Sequence, residues 1–349
     1  MSASVEEDIC FDVDGTATHG TLRVPAHREG QRLAAALLLP GSGPVDRNGD
    51  VPGLNLTPRT LALIAGVLGE LGIMSLRFDK YFTGRTGAGA YAADPGRIDL
   101  DAFIRQAAAA YRVLGARPET RSEARPETRS EAPPETRPET RPEALLVAGH
   151  SEGGLYALLT AAQTQPRPAG IALIEPMAQP LLSTIELQAT AELSAAVAAG
   201  TLDPAVAAGN ASGIRHVIGE FRAGRPVDTS GLLPDVVRRL RPGLLVAENA
   251  RYVRQGDAVH PVGAAAKVAP GTRVLVTAGT RDASIPVSAI KLLAVVLAGV
   301  GTTGPGLQVL EGVDHFLHQP GTPRNEPVLA PAVVAALTEW ARPYAAYGA

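Results

Sequence analysis

The sequence has little cysteine, few aromatic residues and no long apolar run. Its single cysteine, Cys10, excludes an intrachain disulfide. Aromatic residues make up 4% of the chain, which argues against a binding site built from stacked rings. No uncharged apolar run reaches the roughly 18 residues that a membrane-spanning helix needs, and the acidic start MSASVEEDIC contains no apolar signal segment. We therefore expect a cytoplasmic protein with no membrane partner.

An excess of one charge and the common cofactor motifs are also absent. The formal net charge of the 349 residues is −3, which is too close to neutral to indicate a nucleic-acid partner. The sequence has no HExxH, no cysteine cluster and no GxxxxGK[ST] phosphate-binding loop. His315 and His318 are the one histidine pair near helical spacing, and they are unsuited to sharing a metal. We expect neither a metal nor another cofactor.

Residues 117–143 differ in composition from the rest of the chain. They form an imperfect repeat of Pro, Glu, Thr and Arg, with six Arg, seven Glu and no residue able to anchor a core. Such a segment cannot bury enough apolar surface to offset its ordering entropy. The recurring prolines also oppose a continuous helix. We expect a disordered or extended surface insert.

Strand-like and helix-like stretches alternate over most of the remaining chain. The run Leu33–Leu39 is continuously apolar and ends at Pro40-Gly41, as a buried strand should. Thr57 followed by Pro58 predicts a helix N-terminus, and that helix extends to about Leu71. Strands separated by helices indicate βαβ units and an α/β protein with a mostly parallel sheet. The predicted strands are Ile9–Val13, Thr21–Val24, Leu33–Leu39, Ile73–Phe78, Ala144–Ala148, Ile171–Ile174, Arg273–Ala278 and Leu307–Leu310.

Residues 181–262 interrupt this alternation because they are rich in helix signals and contain no convincing strand. An insertion of this size between two strands predicts a helical cap over one end of the sheet. Such a cap would wall a pocket and select substrates. The predicted organisation is a core of residues 1–180 and 263–349 with a cap of residues 181–262.

The segment GHSEGG, residues 149–154, follows one predicted strand directly and opens a predicted helix. This is the G-x-S-x-G pattern in a strand–turn–helix context. The turn is so sharp that side chains at its first and last positions would clash, and both positions are glycine. Ser151 is therefore the predicted nucleophile, and the backbone N–H of Glu152 is a predicted oxyanion donor.

A serine hydroxyl needs a neighbouring base to become a nucleophile. The chain order of nucleophile, acid and then histidine leaves His315 and His318, which follow the last predicted strand. His315 comes first after the turn and is the preferred base, with His318 as the alternative. Asp282 follows a predicted strand and a glycine turn, and it is the preferred acid that orients the imidazole. Glu175, one strand earlier, is an alternative acid or a pocket-lining residue.

The loop PGSGP, residues 40–44, follows a predicted strand where a second oxyanion donor belongs. Its glycines allow the backbone to approach a substrate oxygen closely. Ser42 or Gly43 would donate, and we favour Ser42. Gly41 and Gly43 are expected to contact the substrate.

Charged residues follow two of the predicted strands. Asp46-Arg47-Asn48 lies beyond the oxyanion loop, and Asp79-Lys80 follows the next strand. Their positions predict an ion-pair network that orients these loops. Direct contact with the substrate is the alternative role.

Taken together, the motifs PGSGPVDRNG, LRFDK, TGRTG, GHSEGG, GTRDASIPV and GVDHF resemble a bacterial branch of the α/β-hydrolases. This branch is related to dienelactone hydrolases, acyl-peptidases and esterases, and the resemblance runs from about residue 5 to 342, apart from the repeat. It implies an eight-stranded sheet and cofactor-free acyl transfer by Ser151, Asp282 and His315, with the Glu152 amide as oxyanion donor. Relatives often read DKRG after the fourth strand, where this chain reads DKYF.

The sequence predicts hydrolysis of a carboxylic ester or thioester through an acyl-enzyme on Ser151. The predicted partner is a small-molecule acyl substrate, and no oligomeric state is predicted. Two alternatives stay open. One is a peptidase or amidase that uses the same three residues. The other is a protein that binds or reshapes a small molecule on the same fold without hydrolysing it.

Overall fold

A computed structural model describes residues 3–117, 119–120 and 144–345 of the chain. In this part of the chain, eight strands form one sheet in the order β1-β2-β4-β3-β5-β6-β7-β8. Strands β3 to β8 pair in parallel, and β2 pairs antiparallel with both of its neighbours. The predicted mostly parallel sheet is therefore confirmed. The strands are β1 (Val5–Val13), β2 (Thr16–Val24), β3 (Ala35–Leu39), β4 (Met74–Phe78), β5 (Leu145–His150), β6 (Gly170–Ile174), β7 (Arg273–Gly279) and β8 (Thr303–Leu310).

Helices cover both faces of the sheet. Helices α1 and α10 pack on one face, whereas α2, α3 and α9 pack on the other. Helices α4 to α8 follow one another between β6 and β7, where the sequence predicts a helical insertion. The helices are α1 (Thr60–Glu70), α2 (Leu100–Gly115), α3 (Glu152–Gln163), α4 (Leu181–Ala198), α5 (Pro204–Arg222), α6 (Pro234–Leu240), α7 (Ala250–Ala258), α8 (Pro261–Ala265), α9 (Val287–Gly299) and α10 (Pro331–Ala341).

The central strands are apolar on both sides because each side faces a layer of helices. In β3, Leu37 packs into the core beneath α2 and α3, while Leu38 packs into the core beneath α1 and α10. Successive side chains of a strand point to opposite faces, so both kinds of position must be apolar. This arrangement explains the unbroken apolar run that marks the strand in the sequence.

Helix α1 begins later than the sequence predicts. Its first residue is Thr60 and its N-cap is Arg59, so Thr57 is not the cap. The carbonyl oxygen of Asn48 accepts hydrogen bonds from the N–H groups of Leu61 and Ala62 at 3.0 and 3.2 Å. A loop from elsewhere in the chain thus satisfies the free N–H groups at the start of this helix, which removes the need for a local side-chain cap.

The strands at both edges of the sheet, β1 and β8, are longer than predicted, and so is β2. Strands β1 and β2 meet at Asp14-Gly15, both with positive φ, in a two-residue hairpin. Strand β2 extends to this turn at Thr16, and β1 begins four residues earlier than predicted, at Val5, where it pairs with Val24. Strand β8 starts at Thr303 and includes Gly304 and Pro305, residues that an edge strand tolerates.

The predicted disorder of 117–143 concerns mainly residue 118 and residues 121–143, which lie outside the described residues.

The parallel strands bring their carboxyl ends to one edge of the sheet. Loops carrying Gly41, Lys80, Ser151, Asp282 and His315 leave β3, β4, β5, β7 and β8 at that edge. Residues from five separate parts of the chain therefore converge above the sheet, as the crevice rule for open α/β sheets predicts. Among the described helices, none is both long and apolar enough to cross a bilayer.

Candidate active site

Ser151 lies at the sharp turn between β5 and α3. Its backbone has φ 57° and ψ −123°, a conformation that L-residues rarely adopt. A Cβ on Gly149 would approach the carbonyl oxygen of Gly153 to 1.9 Å, and a Cβ on Gly153 would approach that of Leu39 to 2.2 Å. Only glycine fits at either position, as the sequence motif predicts. The strained turn presents the Ser151 side chain at the carboxyl edge of the sheet.

The side chains of Ser151, His315 and Asp282 form a continuous hydrogen-bonded chain. His315 Nε2 lies 3.1 Å from Ser151 Oγ, and His315 Nδ1 lies 2.7 Å from Asp282 Oδ2. Because a carboxylate only accepts, Nδ1 carries the proton and Nε2 is free to accept one from Ser151. The structure brings together the predicted nucleophile, base and acid. The alternative base, His318, is buried elsewhere, and its ring nitrogens have no hydrogen-bond partner among the described residues.

Asp282 is held rigidly beneath the imidazole. Its side chain is fully buried, and its Oδ1 accepts hydrogen bonds from the backbone N–H groups of Ser284 and Ile285 at 2.7 and 2.8 Å. Burial alone lowers the pKa of His315, but the hydrogen bond and charge of Asp282 outweigh burial, and the pKa rises above its usual value. The carboxylate therefore favours the protonated imidazole that would form when His315 takes a proton.

A second imidazole, His150, supports the backbone of His315. His150 Nε2 lies 2.8 Å from the carbonyl oxygen of His315, and the two rings lie 5.0 Å apart. Burial, together with the charge of His315, lowers the pKa of His150 to about 3, so this ring is neutral and donates through Nε2. The chain-order rule excludes His150 from the candidate bases because it precedes Ser151. Its place inside the GHSEGG motif was the available signal.

Glu175 does not line the cavity, contrary to the expected pocket-lining role. Its side chain is fully buried below the site, where Oε2 accepts from the Gly279 N–H at 2.7 Å and Oε1 accepts from the Thr277 hydroxyl at 3.1 Å. Burial raises the pKa of Glu175 to about 7. Asp282, not Glu175, contacts His315, because β7 and not β6 ends beside the imidazole. Glu175 acts on His315 through its charge alone.

The loop that follows β3 passes directly beside Ser151. A Cβ on Gly41 would lie 3.1 Å from the Ser151 Cβ, so a larger residue would crowd the serine. Lys80 Nζ donates a hydrogen bond to the Gly41 carbonyl oxygen. In a trans peptide, the following N–H points away from the carbonyl, so the Ser42 N–H points away from Lys80. In the described part of the chain, the backbone N–H groups of Ser42 and Glu152 have no protein acceptor.

An ion pair ties this loop to the loop that follows β4. Arg47 Nη2 and Nε donate to Asp79 Oδ2 at 2.7 and 3.1 Å, and the Arg47 backbone N–H donates to Asp79 Oδ1 at 3.0 Å. Burial by itself raises the pKa of Asp79, but the hydrogen bonds and charge of Arg47 hold it below its usual value. The structure thus contains the loop-orienting ion pair that the sequence predicts. Lys80 adds a contact with the loop that follows β3, through the carbonyl oxygen of Gly41.

A cavity of about 720 Å³ opens onto the side chains of Ser151 and His315. Gly41, Ser42 and Gly43 line it on one side, and residues of α4, α6 and α7 line it on the other. Six aromatic residues also line it, contrary to the expectation from the low aromatic content: Tyr81, Phe82, Phe103, Tyr156, Tyr252 and Phe316. The Phe103 ring stacks on Tyr156 at 6.1 Å and meets Tyr252 edge-on at 5.3 Å.

The side chain of Glu152 is part of the same wall, a position that the GHSEGG motif does not predict. It is 2% exposed, and its Oε1 accepts a hydrogen bond from the Tyr252 hydroxyl. The Tyr252 oxygen lies 2.7 Å from that of Tyr156. Tyr252 belongs to α7, so this contact joins the helical insertion to the residue beside the nucleophile. No local sequence pattern marks a contact between residues 100 positions apart.

No group of three or more His, Cys, Asp or Glu side chains in residues 3–117, 119–120 and 144–345 is arranged to hold a metal ion. The site is instead organised by hydrogen bonds between protein groups. Its catalytic candidates are a serine, an imidazole, a buried carboxylate and free backbone N–H groups.

Comparisons with known proteins identify the fold. The sequence matches no family model and no curated protein. Among solved structures, an esterase from Pyrococcus furiosus is similar at 12% identity over 98% of this chain and 91% of that one, with a TM-score of 0.55. An α/β hydrolase from a Penicillium species is similar at 18% identity over 89% and 91%, with a TM-score of 0.52. A proline iminopeptidase from Mycobacterium smegmatis is similar at 15% identity over 96% and 98%, with a TM-score of 0.54. The chain has the α/β-hydrolase fold.

Proposed function

We propose that this protein is a serine hydrolase that cleaves a carboxylic ester or thioester of a small molecule. The observation that carries the proposal is the hydrogen-bonded chain from Ser151 Oγ through His315 to Asp282, which opens into the cavity. A chain of this geometry supplies a nucleophile, a base and a group that orients the base. The cavity volume, about 720 Å³, falls within the range of small-molecule sites.

The proposed reaction begins with transfer of the Ser151 hydroxyl proton to His315 Nε2 as Oγ attacks the acyl carbon. The backbone N–H groups of Ser42 and Glu152 stabilise the negative oxygen of the tetrahedral intermediate. The intermediate then expels the alcohol or thiol, which takes the proton from His315. Water, deprotonated by His315, releases the acid and restores Ser151. No cofactor enters these steps.

Residues 181–262 are proposed to act as a cap over this site. Helices α4, α6 and α7 each contribute residues to the cavity wall, including Leu181, Arg239 and Tyr252. Residues outside the sheet therefore define much of the space around Ser151. In this proposal the insertion selects the substrate while the sheet supplies the reacting groups.

The test is hydrolysis of a short p-nitrophenyl ester together with fluorophosphonate labelling of Ser151. Ser151→Ala is expected to abolish both. His315→Gln is expected to lower turnover by at least about a thousandfold, whereas His318→Gln keeps turnover in the protein that remains folded. Unchanged turnover in Ser151→Ala would contradict the proposal, and an unlabelled Ser151 in the folded protein would favour binding without hydrolysis.

Amide hydrolysis is the second candidate, because a proline iminopeptidase is among the proteins of similar structure. The same three residues serve both reactions, but an amine must be protonated before it leaves. An ester and an amide of the same acyl group separate the two. Faster turnover of the amide would replace the ester proposal with the peptidase one.

A further inference from the structure

One part of the cavity wall is polar and lies directly beside the nucleophile. It consists of Lys80, Glu152, Tyr156 and Tyr252, all of which line the cavity. We call this group the polar subsite. Glu152 follows Ser151 in the chain, and Lys80 donates to the carbonyl of Gly41, which contacts Ser151. A substrate group bound by the polar subsite must therefore be only a few bonds from the scissile carbonyl.

The polar subsite contains one cation and one anion that are not directly paired. Lys80 is 5% exposed and Glu152 is 2% exposed, so both are withdrawn from bulk water. In the described residues, Lys80 donates to the Gly41 carbonyl and lies 5.8 Å from the Phe103 ring centroid, but it forms no ion pair. Both charged side chains line the same cavity, and they are close enough for the Glu152 charge to raise the pKa of Lys80 against the effect of burial.

Burying two opposite charges without a direct contact is costly for a fold. Such a cost is characteristic of binding sites, where the missing partner is a ligand. Burial lowers the pKa of Lys80 to about 8, while the nearby Glu152 charge raises it, and Lys80 is therefore mainly protonated at neutral pH. The space between them offers a donor on one side and an acceptor on the other.

A single uncharged group can satisfy both sides. An ammonium group on the substrate would be attracted by Glu152 but repelled by Lys80, and a carboxylate would meet the reverse. A hydroxyl group donates to the carboxylate through its hydrogen and accepts from the ammonium through its oxygen. A methyl group of similar size would leave both charges unsatisfied.

We propose that the natural substrate is an ester or thioester that carries a hydroxyl group close to the scissile bond, held between Glu152 and Lys80. This inference rests on the proposed hydrolase function and narrows its substrate class. Tyr252 holds the Glu152 carboxylate in place through its hydroxyl, so it acts as a positioning residue. Glu152 and Lys80 determine specificity by contacting the substrate.

The test compares substrates in which a hydroxyl replaces a methyl group. On the acyl side, p-nitrophenyl 3-hydroxybutyrate is paired with p-nitrophenyl 3-methylbutyrate. On the alcohol side, 2-hydroxyethyl butyrate is paired with propyl butyrate. The hydroxyl-bearing ester is expected to have a kcat/KM at least about tenfold higher in one of the two pairs, because a lost hydrogen bond to a buried charge is expensive.

Variants show which residues create this preference. Glu152→Gln is expected to reduce the hydroxyl-to-methyl ratio of kcat/KM about tenfold, whereas Glu70→Gln, an exposed residue at the end of α1, leaves the ratio unchanged. Tyr252→Phe is expected to reduce the ratio, and Tyr111→Phe, whose hydroxyl bonds the Pro166 carbonyl away from the cavity, is the matched control. Because the hydroxyl-to-methyl ratio compares two substrates of the same variant, a general loss of activity in that variant does not change it.

Two results would overturn the hydroxyl inference, and a third would overturn the proposed hydrolase function. Equal turnover within both pairs overturns the hydroxyl inference and leaves the hydrolase proposal intact. Faster turnover of an analogue with an ammonium or a carboxylate at the same carbon also overturns the hydroxyl inference. If no ester is turned over and Ser151 resists fluorophosphonate, the proposed function itself fails.

Discussion

His150 donates a hydrogen bond from Nε2 to the backbone carbonyl oxygen of His315 at 2.8 Å. The bond connects the residue before the nucleophile to the backbone of the candidate base. It fixes the peptide from which the His315 side chain extends toward Ser151. Burial keeps His150 neutral, since a charged imidazole at that depth would lack solvation, and the proton of the neutral ring sits on Nε2, where it is donated to this carbonyl.

The first prediction concerns the effect of His150 on stability. Burial and the neighbouring His315 lower the pKa of His150 to about 3 in the fold, against 6.5 as its ordinary value. The unfolded chain therefore binds a proton that the fold does not, and His150 costs stability as the pH falls from 6.5 toward 3. We expect the unfolding free energies of wild type and His150→Gln to converge on acidification. Denaturant unfolding from pH 7 to 4 measures this, and parallel curves would contradict it.

The second prediction concerns Asp282. An asparagine there would keep the size of the side chain but would not stabilise a charged imidazole, and it favours the wrong His315 tautomer. We expect Asp282→Asn to lower kcat on the order of ten thousandfold with little change in KM. Steady-state kinetics with a short ester measures the effect. A loss of less than tenfold would show that Asp282 does not orient the base.

The third prediction concerns pH dependence. Burial lowers the pKa of His315, but Asp282, Glu175 and Asp314 raise it above its usual value, so the neutral base forms only at higher pH. We expect kcat/KM to rise through a midpoint above 6.5. Glu175→Gln removes one of the negative charges and should move this midpoint to lower pH, by less than Asp282→Asn does. A midpoint unchanged in both variants would contradict the assignment of the acid limb to His315.

The fourth prediction concerns Lys80. Removing the donor to the Gly41 carbonyl frees the peptide that carries the Ser42 N–H. We expect Lys80→Met to lower kcat with a plain ester about tenfold, with a smaller effect on KM. Burial lowers the pKa of Lys80 to about 8, so wild-type activity should also decline above that pH, and the variant should lack this limb. Lys291→Met, on the exposed face of α9, is the control.

The fifth prediction compares alanine substitutions at two glycines, Gly149 and Gly66. A Cβ on Gly149 meets the Gly153 carbonyl oxygen at 1.9 Å, whereas a Cβ on Gly66 in α1 meets nothing within 4 Å. We expect Gly149→Ala to destabilise the fold and abolish activity. Gly66→Ala should raise the unfolding free energy by about 0.5–1 kcal/mol and keep activity. Thermal unfolding and ester hydrolysis of both variants test the difference.

The strands and the residues at their ends were predictable because their signals are local. The run Leu33–Leu39 and the turn around Ser151 are each legible within ten residues of sequence. A parallel sheet then places residues that follow its strands at one edge, which brings Asp282 and His315 together with Ser151. The Asp14-Gly15 hairpin carried an equally local signal, which would have extended β2 back to Thr16.

The remaining features depend on contacts between distant segments. The first turn of α1 bonds to the Asn48 carbonyl, which overrides the local cap signal at Thr57. The Tyr252 hydroxyl meets Glu152 across 100 positions, and nothing near either residue indicates the contact. Glu175 follows its strand like the other site residues, but its side chain points beneath the site. The orientation of such a side chain depends on tertiary packing, which the periodicity of apolar residues in the sequence does not predict.

The bond between Ser151 and His315 spans 164 positions, and β6 and β7 lie between the strands that carry them. The reactive pair therefore assembles only after those two strands have joined the sheet. A chain that ends before β8 would retain the GHSEGG turn and yet be chemically inert. During refolding, the rate at which Ser151 becomes labelled by a fluorophosphonate would report the assembly of β5 to β8. Labelling of Ser151 would thus serve as a kinetic probe of sheet assembly as well as a test of catalysis.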